Sequence, residues 1–138
     1  MRVSRAFLLL LLVFSVFACK SEPPKVPENI SQAELIQRAQ EAFDNSDYEL
    51  AIYYYQTLLD RYGNDMEARA TSEYEIAHIY FLQGNYKKAE ELFNKIISYY
   101  DGEQAASLPA WIKVLSVRQL KESIEKQAQL EKEQTNKQ

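Results

Sequence analysis

The chain has 138 residues, and its 16 lysines and arginines against 20 aspartates and glutamates give a formal net charge of −4 at pH 7. This acidic balance argues against nucleic acid as a partner, because phosphate binding needs a basic surface. The single cysteine and single histidine allow no disulfide within one chain and are too few for a typical structural metal site.

The N-terminus, residues 1–18, has the layout of a secretory signal peptide. Arg2 and Arg5 precede an apolar run from Ala6 to Phe17, and Ala18 follows it. Because a helix needs roughly 20 apolar residues to cross a bilayer, this run is short for a membrane span. We therefore expect residues 1–18 to be a signal peptide, and an uncleaved membrane anchor is the alternative.

Cys19 follows the apolar run. Residues Val16 to Cys19 resemble the lipobox of bacterial lipoproteins, in which the cysteine is lipidated and becomes the mature N-terminus. The resemblance implies a covalent lipid on Cys19 and no other cofactor. Several acyl chains would give stable anchoring, because each buried methylene contributes about 0.8 kcal/mol.

A proline-rich segment separates Cys19 from the rest of the chain. Pro23, Pro24 and Pro27 lie among charged residues, with little that is apolar. Such a segment cannot bury enough surface to fold, and its prolines keep it extended. We expect residues 19–30 to be a tether that lifts a domain from the membrane.

Two helical hairpins are predicted over residues 31–103. Ser31 begins a capping-box pattern, and apolar residues then recur at three- and four-residue intervals. A short polar run ends this helix, and Ser46 with Glu49 offers a second capping box. The next helix ends at Gly63, where a left-handed glycine is expected.

The second hairpin repeats the first at one fixed offset along the chain. The matched pairs are Ala39 with Ala77, Tyr48 with Tyr86, Ala51 with Ala89, Tyr55 with Phe93, Leu58 with Ile96, and Tyr62 with Tyr100. Small residues recur where two helices must touch closely, and large ones recur where a gap must be filled. A self-match at a fixed period indicates stacked helical hairpins.

These residues resemble tetratricopeptide repeats (TPRs). In that family a Gly-x-Tyr-like turn is followed by an alanine three residues after its aromatic residue, and by a second aromatic residue four residues after that alanine. Residues Gly84 to Phe93 fit this pattern, and Ser46 to Tyr55 fit all but the glycine. The resemblance implies an all-α, TPR-like solenoid of two repeats, about 32–65 and 66–103. The offset is longer than the repeat length usual in that family, and we assign the excess to one added helical turn, Met66 to Arg69.

A capping helix is predicted to close the solenoid over residues 104–128. Its apolar stripe, suited to covering the second hairpin, consists of Leu108, Trp111, Ile112 and Leu115. Residues 129–138 are mostly Gln, Glu and Lys, so we expect a frayed polar tail. A coiled coil is the alternative, although it needs three or more regular heptads.

We expect no enzyme activity, because no arrangement of catalytic residues is recognisable. His78 has only Glu75 one turn earlier, whereas a metal site needs several converging ligands. Neighbouring acidic residues on the helices are more simply explained as solvated side chains than as catalytic acids. A phosphate-binding glycine loop would follow a strand, and the pattern predicts none.

The resemblance also implies a binding surface, because the first helix of each hairpin in that family lines a concave groove for a peptide or helix of a partner. The matching residues are Ile36, Gln40, Phe43, Tyr74, His78 and Phe81, with Ala33, Thr71 and Leu82 beside them. Aromatic residues in an exposed groove are typical of binding hot spots. The alternative is that the closing helix or the tether folds over them.

Tyr53, Tyr54 and Tyr55 are consecutive, so on a helix at least one of them must point away from the hairpin core. Tyr55 belongs to the repeat pattern. Tyr53 and Tyr54 are not explained by it, and we expect them to mark a second interface, for a partner or for another copy of the chain.

Together these features predict a lipid-anchored scaffold for protein–protein interactions, in the cell envelope at the outer membrane and facing the periplasm. It looks like a short relative of the repeat lipoproteins of outer-membrane protein assembly. The alternative is a ligand-handling subunit that works with a periplasmic substrate-binding protein, which a wide apolar cavity would favour. Converging acids in a pocket would favour an enzyme.

Overall fold

The computed structural model describes residues 24–136, so the predicted signal peptide and Cys19 lie outside the described residues. Within this range the chain forms five α-helices: α1 Gln32–Asp44, α2 Tyr48–Tyr62, α3 Met66–Leu82, α4 Tyr86–Ser98 and α5 Ala110–Thr135. Two 3₁₀ turns, Tyr99–Asp101 and Ala105–Ser107, connect α4 to α5. Each helix packs mainly on its neighbours in sequence, which confirms the predicted all-α hairpin solenoid.

The first four helices begin at polar side chains that accept hydrogen bonds from backbone N–H groups. The capping residues are Ser31, Asp47, Asp65 and Asn85. Ser31 was predicted, but the capping box proposed at Ser46 and Glu49 is wrong, because Asp47 accepts the bond from Leu50 N at 3.1 Å. Ser46 lies in the preceding turn, where it adopts a left-handed backbone with φ 61°.

Gly84 and Gly63 suit their positions for different reasons, one conformational and one steric. Gly84 has φ +75° in the turn between α3 and α4, the left-handed conformation that glycine adopts without a steric cost. Gly63 was expected to be left-handed, but its φ is −68°. Glycine fits there for another reason: a Cβ atom would overlap the carbonyl oxygen of Leu59.

Two hydrophobic clusters fill the solenoid, one around α1 and α2 and one around α3, α4 and α5. The alanines matched by the repeat are fully buried at the helix contacts, as the pattern predicts: Ala39, Ala51, Ala77 and Ala89. Helix α3 contributes to both clusters, so it carries buried residues on most of its circumference. It has 17 residues against 13 in α1, and its first turn is the predicted insertion, Met66 to Arg69.

Helix α5 covers the second hairpin by packing against α4 and α3. Ile112 is fully buried, but Trp111 remains 45% exposed. The rest of the buried face is polar and consists of Ser116, Gln119 and Ser123. The hydrophobic pattern of the sequence did not indicate that these polar residues are buried. The tail predicted to fray after residue 128 is helical as far as Thr135. No helix within residues 24–136 is long and apolar enough to cross a membrane.

The N-terminal segment from Pro24 to Ile30 packs along α2. Ile30 is buried, and its carbonyl oxygen accepts a hydrogen bond from Tyr62 Oη at 2.9 Å. The Arg61 guanidinium donates to the carbonyl oxygen of Pro27 at 2.6 Å and to that of Val26 at 3.4 Å. The second half of the expected free tether is therefore part of the domain.

Candidate functional site

A row of aromatic rings crosses from α1 over α3 to α5. The ring of Phe43 lies 5.9 Å from that of His78, centroid to centroid, and His78 stacks on Tyr74 at 6.1 Å. Trp111 meets Tyr74 edge-on at 5.5 Å. Three of the residues predicted for the groove are thus brought together, and Trp111 extends the row.

The depth of burial changes along this aromatic row. Tyr74 is buried, Phe43 and His78 are half-buried, and Trp111 is exposed. Burial, and to a smaller extent the nearby charge of Glu75, raise the pKa of Tyr74 to about 12. Tyr74 therefore supports the row as a neutral phenol, and the other three rings offer accessible surface.

Gln119 of α5 contacts both residues at the centre of the aromatic row, His78 and Tyr74. Its Oε1 atom lies 3.1 Å from His78 Nδ1, and its Nε2 atom donates to Tyr74 Oη at 3.3 Å. The closing helix thus reaches the second half of the groove, which is the alternative left open by the sequence. It orients His78 and Tyr74 through one amide while leaving His78 half-exposed.

The other predicted groove residues lie on either side of the row. Gln40 is exposed and Ile36 half-buried on α1. Phe81 turns toward α4, where its ring meets that of Tyr86 at 5.6 Å. Leu82 at the end of α3 is 45% exposed.

Glu75 lies one helical turn before His78 and is half-buried. Desolvation by its surroundings raises the pKa of its carboxyl. Its charge also contributes, after burial, to raising the pKa of the Tyr55 phenol in the first cluster. Partial burial disfavours the ionised form of this carboxyl. Ionisation of Glu75 therefore lowers the stability of the folded state.

The structure places Tyr53 and Tyr54 within the domain's own packing. Tyr54 is only 6% exposed and belongs to the first hydrophobic cluster. Tyr53 is half-buried and donates a hydrogen bond to the carbonyl oxygen of Pro24 at 3.2 Å. Tyr54 is therefore too buried to belong to the second interface predicted at these residues, and at the half-buried Tyr53 that interface stays a prediction.

A cleft of about 400 Å³ lies on the opposite side of α3, between α2 and α4. Among the described residues that line it, the acid is Glu73, which is buried and accepts hydrogen bonds from Lys95 Nζ at 3.0 Å and Tyr99 Oη at 2.6 Å. The rest of its lining consists of apolar residues, Gln56, Tyr80 and the bases Arg69 and Lys88. This mixed, charged cleft differs from the wide apolar cavity that would favour ligand transport.

Comparison with known families agrees with this geometry. The model of the family described as "Tetratricopeptide repeat" matches residues 42–112, about half of the chain. The chain belongs to the tetratricopeptide-repeat family. The match covers α2, α3 and α4 completely and ends in the first turn of α5. TPR solenoids are protein-interaction modules whose concave faces bind partners, so the family indicates an interaction scaffold.

An uncharacterised protein of Treponema pallidum (strain Nichols) is similar to this TPR chain. The two are 39% identical over 102 residues, which cover 72% of this chain and 41% of the relative. The chain therefore spans less than half of that relative's length. No solved structure gives a significant match.

The sequence pattern missed two residues of this site. Trp111 was assigned to covering the hairpin, and Gln119 was not singled out. A buried glutamine gives no hydrophobic signal, because its side chain is polar like others on α5. The spacing of Ile112, Ser116 and Gln119, which suits one helix face, was the available indication.

Proposed function

We propose that this TPR protein is a cell-envelope scaffold that holds a protein partner on the concave face formed by α1, α3 and α5. The aromatic row carries this proposal. Phe43, His78 and Trp111 offer partly exposed rings across three helices, and amphipathic rings of this kind supply large contact areas at binding sites. An extended segment with apolar side chains is the partner that such a row suits.

Site-specific photo-crosslinking in cells tests the proposed partner site. A photoreactive phenylalanine at exposed Gln40 should capture a protein of defined mass, and the same group at exposed Asn94 of α4 is the matched control. Changing Phe43 or Trp111 to Ala should weaken capture from position 40. Equal capture from both positions, or capture that neither alanine change affects, would reject the groove.

We also propose that a lipid on Cys19 anchors the protein, at the outer membrane and facing the periplasm. The docked segment affects how far the domain reaches, because Pro24 already lies against Tyr53 of α2. Only residues 20–23 remain between Cys19 and Pro24, and this length of extended chain spans at most about 17 Å. The domain would then lie close to the lipid surface, and a role in outer-membrane protein assembly fits such a position.

Metabolic labelling tests the anchor. Radiolabelled palmitate should enter the wild-type protein, whereas Cys19→Ser should remain unlabelled and either leave the membrane fraction or stay as an uncleaved precursor. Equal label in both proteins would contradict lipidation at Cys19. Fractionation of inner from outer membranes on a density gradient then tests the location.

A further inference from the structure

Helix α5 carries an apolar stripe that the rest of the described chain does not cover. Val114 is 66% exposed, Val117 49% and Ile124 48%. Lys121 and Ala128, both exposed, continue the same face. These positions follow the alternating spacing of three and four residues that marks the seam of a coiled coil.

The stripe lies on nearly the opposite side of α5 from its buried face. Ile112, Ser116 and Gln119 face the second hairpin and are buried, and they fall roughly 150° around the helix from Val114 and Val117 at about 100° per residue. No movement of α5 is therefore needed to make the stripe available. A row of apolar residues this exposed on a regular helix indicates a surface for another helix.

The charges of α5 are divided between its two halves. Residues 110–121 contain Lys113, Arg118 and Lys121 and no acid. Residues 122–135 contain four glutamates and two lysines. A second α5 running in the opposite direction would place the basic half of each helix beside the acidic half of the other.

The flanks of the stripe distinguish the two directions. Arg118 and Glu125 lie on one flank of the stripe, and Lys113 lies on the other. In an antiparallel pair like flanks meet with their directions reversed, so Arg118 approaches the second copy's Glu125. In a parallel pair opposite flanks meet, and Lys113 would face the second copy's Arg118.

We propose that α5 is a homodimerisation helix, and that two copies of this chain pair antiparallel through the stripe from Val114 to Ala128. The pairing covers the exposed valines and isoleucine of both copies at once, because a twofold interface uses the same patch twice. A twofold dimer of this kind would contain two copies of the aromatic row.

Sedimentation equilibrium of the full chain in density-matched detergent tests the pairing. The wild type should show a concentration-dependent dimer, and Val117→Asp should shift the dissociation constant upward by at least tenfold. A photoreactive residue at position 117 should crosslink to residues 121–128 of the second copy. A wild type that stays monomeric, or crosslinks joining position 117 only to residues 114–117, would overturn the proposal.

Charge reversal provides the control for nonspecific apolar association. Glu125→Arg should weaken the dimer about tenfold, because two symmetry-related attractions become repulsions, and R118E/E125R should restore most of the lost affinity. Both positions are exposed, and far-UV circular dichroism verifies that each variant remains helical. A double variant no tighter than Glu125→Arg alone would overturn the antiparallel arrangement.

Discussion

His78 Nδ1 lies 3.1 Å from Oε1 of Gln119, and this contact joins the second repeat to the closing helix across 41 positions of sequence. Because an amide oxygen can only accept, Nδ1 carries the proton in this geometry. The same amide donates to Tyr74, so one side chain orients both rings at the centre of the aromatic row.

Gln119→Leu should therefore destabilise the fold although it keeps a similar volume. It leaves the buried Tyr74 hydroxyl without the Gln119 donor and removes the acceptor of His78, which should lower the free energy of unfolding by about 1–3 kcal/mol. Urea denaturation followed by circular dichroism measures the change. Gln129→Leu on the exposed part of the same helix is the control, and equal stability of the two variants would contradict this role.

Two of the four fully buried alanines of the repeat, Ala51 and Ala89, allow a test of the hairpin register. Ala51→Leu and Ala89→Leu each insert a larger side chain into a close helix contact, at a cost of about 1–3 kcal/mol. Either change should lower the melting temperature by several degrees. Ala33→Leu, at an exposed position of α1, should change it little, and unchanged melting of both buried variants would show that the contacts are wrongly assigned.

Docking of the N-terminal segment depends on Arg61, which binds the carbonyl oxygens of Pro27 and Val26. Arg61→Ala should release this segment and speed trypsin cleavage after Lys25 about fivefold, the equivalent of roughly 1 kcal/mol of local opening. Mass spectrometry of timed digests measures the rate. Arg38→Ala, which removes an arginine paired with Glu34, should leave cleavage at Lys25 unchanged, and a free tether would show no difference between the variants.

Glu75 should make stability depend on pH. Burial raises the pKa of its carboxyl above the ordinary value of 4.5, so the folded protein binds this proton more tightly than the unfolded chain does. The resulting stabilisation is fully present below pH 4.5 and is lost as the pH rises through the raised pKa. Glu75→Gln should therefore be more stable than the wild type at pH 7, by a margin that shrinks toward pH 4.5.

Denaturation midpoints of the wild type and the Glu75→Gln variant, measured between pH 4.5 and 8, provide this comparison. The exposed Glu133→Gln on α5 is the control for a change of net charge. A Glu75→Gln variant that is less stable than the wild type at pH 7 would mean that the carboxylate has a favourable partner in solution.

The repeat itself could be predicted from the sequence because its signals are local. The spacing of Ala51 and Tyr55, and of Ala89 and Phe93, follows from the geometry of one helix, and the offset between the two copies reveals the hairpin unit. Ser31 was predicted as a cap because its hydrogen-bond partner, Glu34 N, lies three residues away. Such features need no knowledge of distant contacts.

The start of α2 shows where a local pattern was ambiguous. Ser46 and Asp47 are both good capping residues, and the tertiary turn decided between them by giving Ser46 the left-handed backbone. The sequence also left open which of the tyrosines from 53 to 55 faces outward. The packing decided that by burying Tyr54 and Tyr55 and leaving Tyr53 half-buried, with its hydroxyl bonded to the carbonyl oxygen of Pro24.

The sequence by itself determined the helices and the repeat register, and it singled out Phe43, Tyr74 and His78 of the aromatic row, because amphipathic periodicity and small-residue spacing act within one or two helices. The tertiary structure decided the roles of the polar residues. Gln119 meets His78 and Arg61 meets Pro27 only after segments that are distant along the chain come together. A polar side chain takes its role from the partner it finds, and these partners are set by the packing of the whole solenoid.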